Sequence, residues 1–193
     1  MDIELSPKAA EIVACARALL ARGGYHSFSY ADISEAVHIR KPSVHHHFPS
    51  KAELVQTVLV LYRQEARAGL ATLKQQVPDP VAQLQAYTGY WAACIRDGTS
   101  PLCICAMLAA ELPAIPEQVA AEVSGHFKDL AAWLTSVLAT GAAQGAFTLQ
   151  ASADAEGLTF LSTVHGAMLS ARAYADPEIF ARIIQPLLQR LIR

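Results

Sequence analysis

The sequence predicts an all-α protein of nine helices, and three observations carry that expectation. Apolar residues make up 53% of the chain, and alanine and leucine, both strong helix formers, outweigh the β-branched and aromatic types. Serine, aspartate, proline and glycine fall at the spacings of helix starts and stops. No stretch alternates apolar and polar residues as a half-buried strand does. With 193 residues, the chain is long enough for one sizeable core or two modest domains.

The first helix is expected from about Ser6 to Arg22, with Ser6 as N-cap, Pro7 at the first helical position and Gly23-Gly24 as the stop. Ile12, Cys15/Ala16, Leu19 and Leu20 recur at helical spacing on one face. Ser29 opens a second, short helix, Tyr30 to Ala36, with Asp32 placed for a capping box. Val37-His38-Ile39-Arg40 reads as a turn, and Lys41 to His47 as a third helix with Pro42 in its first turn. Two short helices joined by a tight turn form the helix-turn-helix pattern. Phe48-Pro49 closes the third helix, and Ser50 caps a fourth from Lys51 to about Gln76, with Leu54, Val55, Val58, Leu61, Tyr62 and Glu65 along one face.

Val77-Pro78-Asp79-Pro80 is the clearest break in the chain. Helix five then runs from about Val81 to Arg96 with Leu84, Tyr87, Trp91 and Ile95 inward, and Asp97-Gly98-Thr99-Ser100-Pro101 ends it. Helix six is expected over Leu102 to Leu112, and helix seven from Glu117 towards Gln144 with Gly145 as its stop. Helix eight covers Ala153 to Tyr174, and helix nine follows Asp176-Pro177, with Pro186 inside it expected to introduce a kink. Residues 1–50 and 51–193 are the expected domains.

Charge narrows the function classes. The net charge is −2, and the first 66 residues hold seven basic and seven acidic side chains. Within that balance, Val37 to Ser50 carries two fixed positive charges, four histidines and no acid, a compact tip of the kind a groove-reading element needs. No apolar run is long enough to suggest a membrane span. Met1 to Ser6 has two acids and no basic region, unlike a signal peptide. A cytoplasmic protein is expected, with Cys15, Cys94, Cys103 and Cys105 as thiols.

Cys103-Ile104-Cys105 lacks zinc-knuckle spacing. His45-His46-His47 cannot converge on one ion, because successive helical side chains point about 100° apart. No metal and no cofactor is expected. No Ser-His-Asp order, phosphate loop, His-Glu-x-x-His or paired-carboxylate pattern suggests an enzyme. A purely structural adaptor would leave the helix-turn-helix unexplained.

The stretch FSYADISEAVHIRKPSVHHHFPSKAEL, Phe28 to Leu54, resembles the DNA-binding signature of the TetR family of transcriptional regulators. Ser29, Ile33, Ala36, His47, Phe48, Ser50, Lys51 and Leu54 match it position by position. His38 stands where the family usually has glycine, and His45 where tyrosine is common. The resemblance implies a homodimeric repressor, with a three-helix head binding operator DNA and a larger C-terminal domain binding a small-molecule effector. In that geometry the start of the third helix meets base edges and flanking groups hold phosphates. Arg40, Lys41, Ser43 and Val44 are the expected base-proximal residues. Ser29, His45, His46 and Lys51 are the expected phosphate contacts, and His47 and Phe48 are core anchors.

Helices four to eight are expected to enclose a largely apolar pocket. Tyr62, Tyr90, Trp91, Met107, Phe127, Trp133, Phe160 and Met168 are candidate lining residues. Glu111, His126 and His165 are polar groups in apolar stretches whose hydrogen bonds a ligand would supply. The segment SPLCICAMLAAEL resembles relatives that respond to electrophiles and oxidants, and Cys103 takes the matching place near a helix start, where the dipole lowers a thiol pKa. A redox or electrophile sensor acting through Cys103 is therefore the alternative reading. The long fourth helix is the expected lever. Helices eight and nine are the expected dimer surface, through Leu158, Leu161, Val164, Met168, Ile179, Ile183, Leu187 and Leu191.

Overall fold

A computed structural model describes residues 4–99 and 102–192. The Ser100-Pro101 part of the expected breaker after helix five lies outside the described residues. Among those described there are nine α-helices, two single-turn 3-10 helices and no strand, only an isolated bridge between Phe147 and Ile192. No helix among them is long and apolar enough to cross a membrane. The chain divides into two compact units, one of Met1–Ala66 with Cys103–His126 and one of Arg67–Leu102 with Phe127–Arg193. The fourth and seventh helices contribute residues to both.

In the first unit, α1 (Pro7–Gly23) starts where Ser6 accepts a hydrogen bond from the Ala9 N–H at 3.3 Å. It buries Ile12, Val13, Ala16 and Leu20. The helix stops at Gly24, whose φ of +80° is open to glycine and costly for other residues. A 3-10 turn, Tyr25–Ser27, leads to α2 (Tyr30–Ala36) and then α3 (Lys41–His47). The capping box is present: Ser29 accepts from the Ala31 N–H at 3.2 Å, and Asp32 accepts from the Ser29 N–H at 2.6 Å. In α4 (Lys51–Gln76), Leu59 is buried where Leu61 was expected, and Leu61 is half-buried.

Helix six is shorter than its apolar run suggests. It spans only Ile104–Ala109 and gives way to a 3-10 turn at Leu112–Ala114. The Glu111 carboxylate is held by the Tyr25 N–H at 2.7 Å, and Pro113 lacks the N–H that a continuing helix requires.

In the second unit, α5 (Pro80–Arg96) is capped by Asp79, which accepts from the Val81 and Ala82 N–H groups at 3.3 and 3.0 Å. The later turns of α7 (Glu117–Ala143) pack close to α8 (Ala153–Tyr174) where Gly157 meets Thr135. α8 ends at Ala175, in the left-handed region at φ +50°. α9 (Glu178–Leu191) remains helical through Pro186 and lies along α8. Buried Glu156 joins the two by accepting from the Gln150 N–H and from Arg190, both at 3.0 Å.

The expected dimer residues need correction. Leu161, Val164, Met168, Leu187 and Leu191 are buried inside the protomer, and Ile179 and Ile183 are half-buried. Besides Tyr174 at its end, the large apolar side chains that α8 leaves outside among the described residues are Leu158 and Leu169, 49% and 50% exposed. They stand eleven residues apart, three helical turns and so on one face.

Candidate nucleic-acid interface and sensing residues

The three short elements of the head are joined by side-chain bonds. Tyr30 donates its hydroxyl to the Phe48 carbonyl at 2.8 Å, tying the start of α2 to the end of α3 in a buried contact. Burial, then the charge of Glu53, pushes the Tyr30 phenol well above its ordinary pKa, so it stays a donor. Ser34 closes the turn by donating to the Ile39 carbonyl at 2.5 Å, while the Ile39 N–H donates to the Ser34 carbonyl at 3.1 Å. This loop holds His38 at φ +54°, a conformation strained for branched residues and mild for histidine. His38→Val is expected to lower stability by about 1–2 kcal/mol, whereas His38→Gly does not lower it. Chemical denaturation checks both, and equal stability of the valine variant would contradict the reading.

Around that scaffold, Arg40, Lys41, His45 and His46 are exposed and Ser43 is half-buried at the start and along the length of α3. Val44 is a correction: with no exposed surface it is the core residue of α3 and does not face a groove. Ser29 is exposed but already engaged, its hydroxyl donating to Asp32 at 2.8 Å. That hydroxyl, followed by the Ser29 N–H, holds the Asp32 carboxyl below its ordinary pKa. The capping box is therefore intact above the usual carboxylate range and loosens only as the pH falls through the lowered value. The His45 ring stands edge-on to Tyr30 at 4.7 Å, with Nδ1 3.3 Å from the Pro49 carbonyl. Phe48 is buried and His47 half-buried.

Lys51 also differs from expectation. Its ammonium donates to the Phe28 carbonyl and lies 4.1 Å from the Phe28 ring centre and 4.7 Å from that of Tyr25. Burial lowers its pKa, opposed by the charges of Glu111 and Asp32. The side chain is a brace between the loop before α2 and the start of α4.

The candidate sensing residues fall into two sets, one in each unit. In the first, the Tyr62 hydroxyl is 3.5 Å from the Cys103 sulfur, which is 3.6 Å from His126 Nε2, and the Tyr62 and His126 rings are 5.2 Å apart. Cys103 is fully buried, as is Cys105, whose thiol is pushed far up in pKa by the Cys103 sulfur and by burial. Cys103 is the N-cap of α6, but six residues of helix give little dipole. Nearby, Arg63 pairs with Glu122 at 2.6 Å, and Gly125 leaves room for the guanidinium. Glu111 is a second correction: its acceptor capacity is used by Tyr25 of the same unit, a structural contact 86 residues apart in sequence. Met107 is half-buried.

In the second unit, Trp91, Phe160, His165 and Met168 are buried, and the Phe127 and His165 rings are 5.0 Å apart. Tyr90 is a third correction, being 59% exposed and therefore outside any enclosed lining. Sequence reasoning missed the Tyr30–Phe48 and Tyr25–Glu111 bonds. The only signal for the second was a lone acid in an apolar segment.

Two family models match the chain. Residues 12–58 match the model "Bacterial regulatory proteins, tetR family". Residues 80–187 match "Tetracyclin repressor-like, C-terminal domain". A TetR-family transcriptional regulator from Agrobacterium tumefaciens is similar at 54% identity and a TM-score of 0.95, over 96% of this chain and 98% of that one. A TetR regulator from Legionella pneumophila shares the fold at 24% identity and a TM-score of 0.86, over 98% and 100% of the two chains. A TetR regulatory protein from Rhodobacter sphaeroides does so at 20% and 0.87, over 97% and 100%. No curated protein matches.

Proposed function

Because this chain belongs to the TetR family of bacterial regulatory proteins, we propose that it is a homodimeric repressor released from a palindromic operator by a small molecule. Residues 1–50 form the DNA-binding head in this reading, and 51–193 the sensing and dimerisation domain. The observation that carries it is the acid-free tip from Val37 to Ser50, on which Arg40, Lys41, His45 and His46 are all exposed. Arg40, Lys41 and Ser43 meet base edges, while Ser29, His45 and His46 lie along the phosphates and Lys51 holds the loop before α2 in place.

Two copies meet through α8 and α9, with Leu158 and Leu169 on the joining face. Their recognition helices then reach half-sites one DNA turn, or a multiple of it, apart. α4 starts beside α3 and is about 39 Å long at ~1.5 Å per residue, which suits it to carry a change at the sensing residues to the head. Titration of the protein onto DNA upstream of its own coding region tests the reading. Saturable, salt-dependent binding at a two-fold symmetric site is expected, and no binding at low salt would overturn it.

A second reading is favoured by the Tyr62–Cys103–His126 cluster. His126 takes the Cys103 proton, and the thiolate adds across the C=C bond of an activated alkene, forming a sulfur–carbon bond as the π bond breaks. The proton is returned from His126 to the resulting carbanion, and the adduct is too large for a site with no exposed surface. N-ethylmaleimide is expected to release the DNA complex of the parent protein and not that of Cys103→Ser. Equal release from both would remove this reading and leave the repressor intact.

A further inference from the structure

Buried polar groups in a folded protein are almost always paired, and an unpaired one costs about 1–3 kcal/mol. Among the described residues of the unit containing α5, α8 and α9, four polar or charged side chains are buried: Gln83, Thr88, Glu156 and His165. Each of the first three makes at least one hydrogen bond. The Gln83 amide donates to the Val77 carbonyl at 2.8 Å, and the Thr88 hydroxyl donates to the Leu84 carbonyl at 2.9 Å. Glu156 is held by Arg190 and the Gln150 N–H. Single buried atoms of Gln83 (Oε1), Trp91 (Nε1) and Trp133 (Nε1) in this unit also lack a hydrogen-bond partner. His165, 6% exposed, is the one side chain among the described residues whose donor and acceptor positions, Nδ1 and Nε2, are both without one.

Its surroundings are apolar. Leu161, Val164 and Met168 are buried along the same stretch of α8, and the Phe127 ring stands 5.0 Å away at 58°. A neutral imidazole offers one donor and one acceptor, and a hydroxyl is the smallest group that can serve either. Among the described residues of the unit the one buried charged side chain is Glu156, already paired with Arg190, so a charged ligand would find no free buried counter-charge beside His165. Such a ligand would lose its hydration without compensation.

We propose that His165 is the polar anchor of the effector site, and that the effector is an uncharged, mainly apolar molecule carrying a hydroxyl group, of the phenol or alcohol type. The proposal rests on the reading of the chain as a ligand-responsive repressor, and it adds the chemistry of the ligand. Phe127 supplies an apolar wall, and His165 selects among molecules of similar shape by hydrogen bonding.

The test uses the full-length protein, histidine side chains labelled for NMR, and three probes of similar size: phenol, toluene and benzoate. Phenol at millimolar concentration is expected to shift the His165 ring resonances saturably and to raise the melting temperature. Toluene and benzoate are expected to do neither. His165→Phe should weaken phenol binding about tenfold, the effect of one lost hydrogen bond in an apolar site. His165→Gln keeps a donor and an acceptor and should retain binding, so the test stands even where the phenylalanine variant fails to fold.

Equal binding of toluene and phenol, preference for benzoate, or an unmoved His165 resonance would each overturn the proposal. A phenol shift at His165 with unchanged DNA affinity would overturn its role as effector anchor. Absence of DNA binding by the ligand-free protein would instead remove the repressor reading, and the NMR titration does not depend on it.

Discussion

Replacing Gly24 with alanine is expected to lower the unfolding free energy by about 3 kcal/mol, from backbone strain and a lost hydrogen bond to a charged group. Gly24 sits at φ +80° and ψ −167°, a region essentially reserved for glycine. A Cβ there would also overlap the Glu111 carboxylate. A carboxylate at the end of a free side chain would swing aside, but this one accepts from the Tyr25 N–H at 2.7 Å. Moving it leaves the amide of buried Tyr25 without its acceptor. For a chain of this size the loss corresponds to a fall of about 6–12 °C in melting temperature, readable by circular dichroism. A change below about 1 kcal/mol would show that the Glu111–Tyr25 contact carries little of the stability. Glu111→Gln, which retains an acceptor, is expected to lie between the parent and Gly24→Ala.

The second large effect concerns DNA. Arg40→Ala is expected to weaken operator binding about 5- to 150-fold and to relax preference at one base pair, the range for losing a good base contact. Lys41→Ala should weaken binding to operator and scrambled DNA alike and reduce the salt slope by about one if its contact is to phosphate. Both side chains are exposed, so circular dichroism spectra and melting temperature should stay unchanged. Fluorescence anisotropy across a salt series separates the two signatures. Unaltered affinity in the double variant would remove the acid-free tip as the DNA-reading surface.

Much of this head was legible because its signals are local. Ser29 and Asp32 mark the start of α2, Pro42 the first turn of α3, and Ser50 the start of α4. A cap is written in three or four adjacent residues, so those boundaries could be read directly. Where structure departed from expectation, the deciding partner was distant or the pattern too short. α6 ends early at a segment whose Glu111 is bonded to Tyr25, on the far side of five helices in sequence. Val44 lies in a helix of seven residues, where periodicity cannot separate a buried position from a groove-facing one.

α8 presents the opposite difficulty. Leu158 and Leu169 stand outside and Leu161, Val164 and Met168 inside, yet all five are apolar. A helix apolar on several faces does not declare which one meets its own core. Lys51 reads as a charge for phosphate, and only the positions of Tyr25 and Phe28 reveal that its ammonium is turned toward their rings. His165 could be singled out as a polar residue in an apolar stretch. That neither nitrogen is paired required coordinates.

The buried bond from Tyr30 to the Phe48 carbonyl bears on the thermodynamics of any encounter with a duplex. It fixes the helices before and after the turn to each other, so the surface proposed to read DNA exists before contact and would need little ordering on docking. Association would then proceed without the conformational-entropy penalty of a segment that folds on its target. Its heat-capacity change would follow the apolar area covered, free of the larger decrement that accompanies coupled folding.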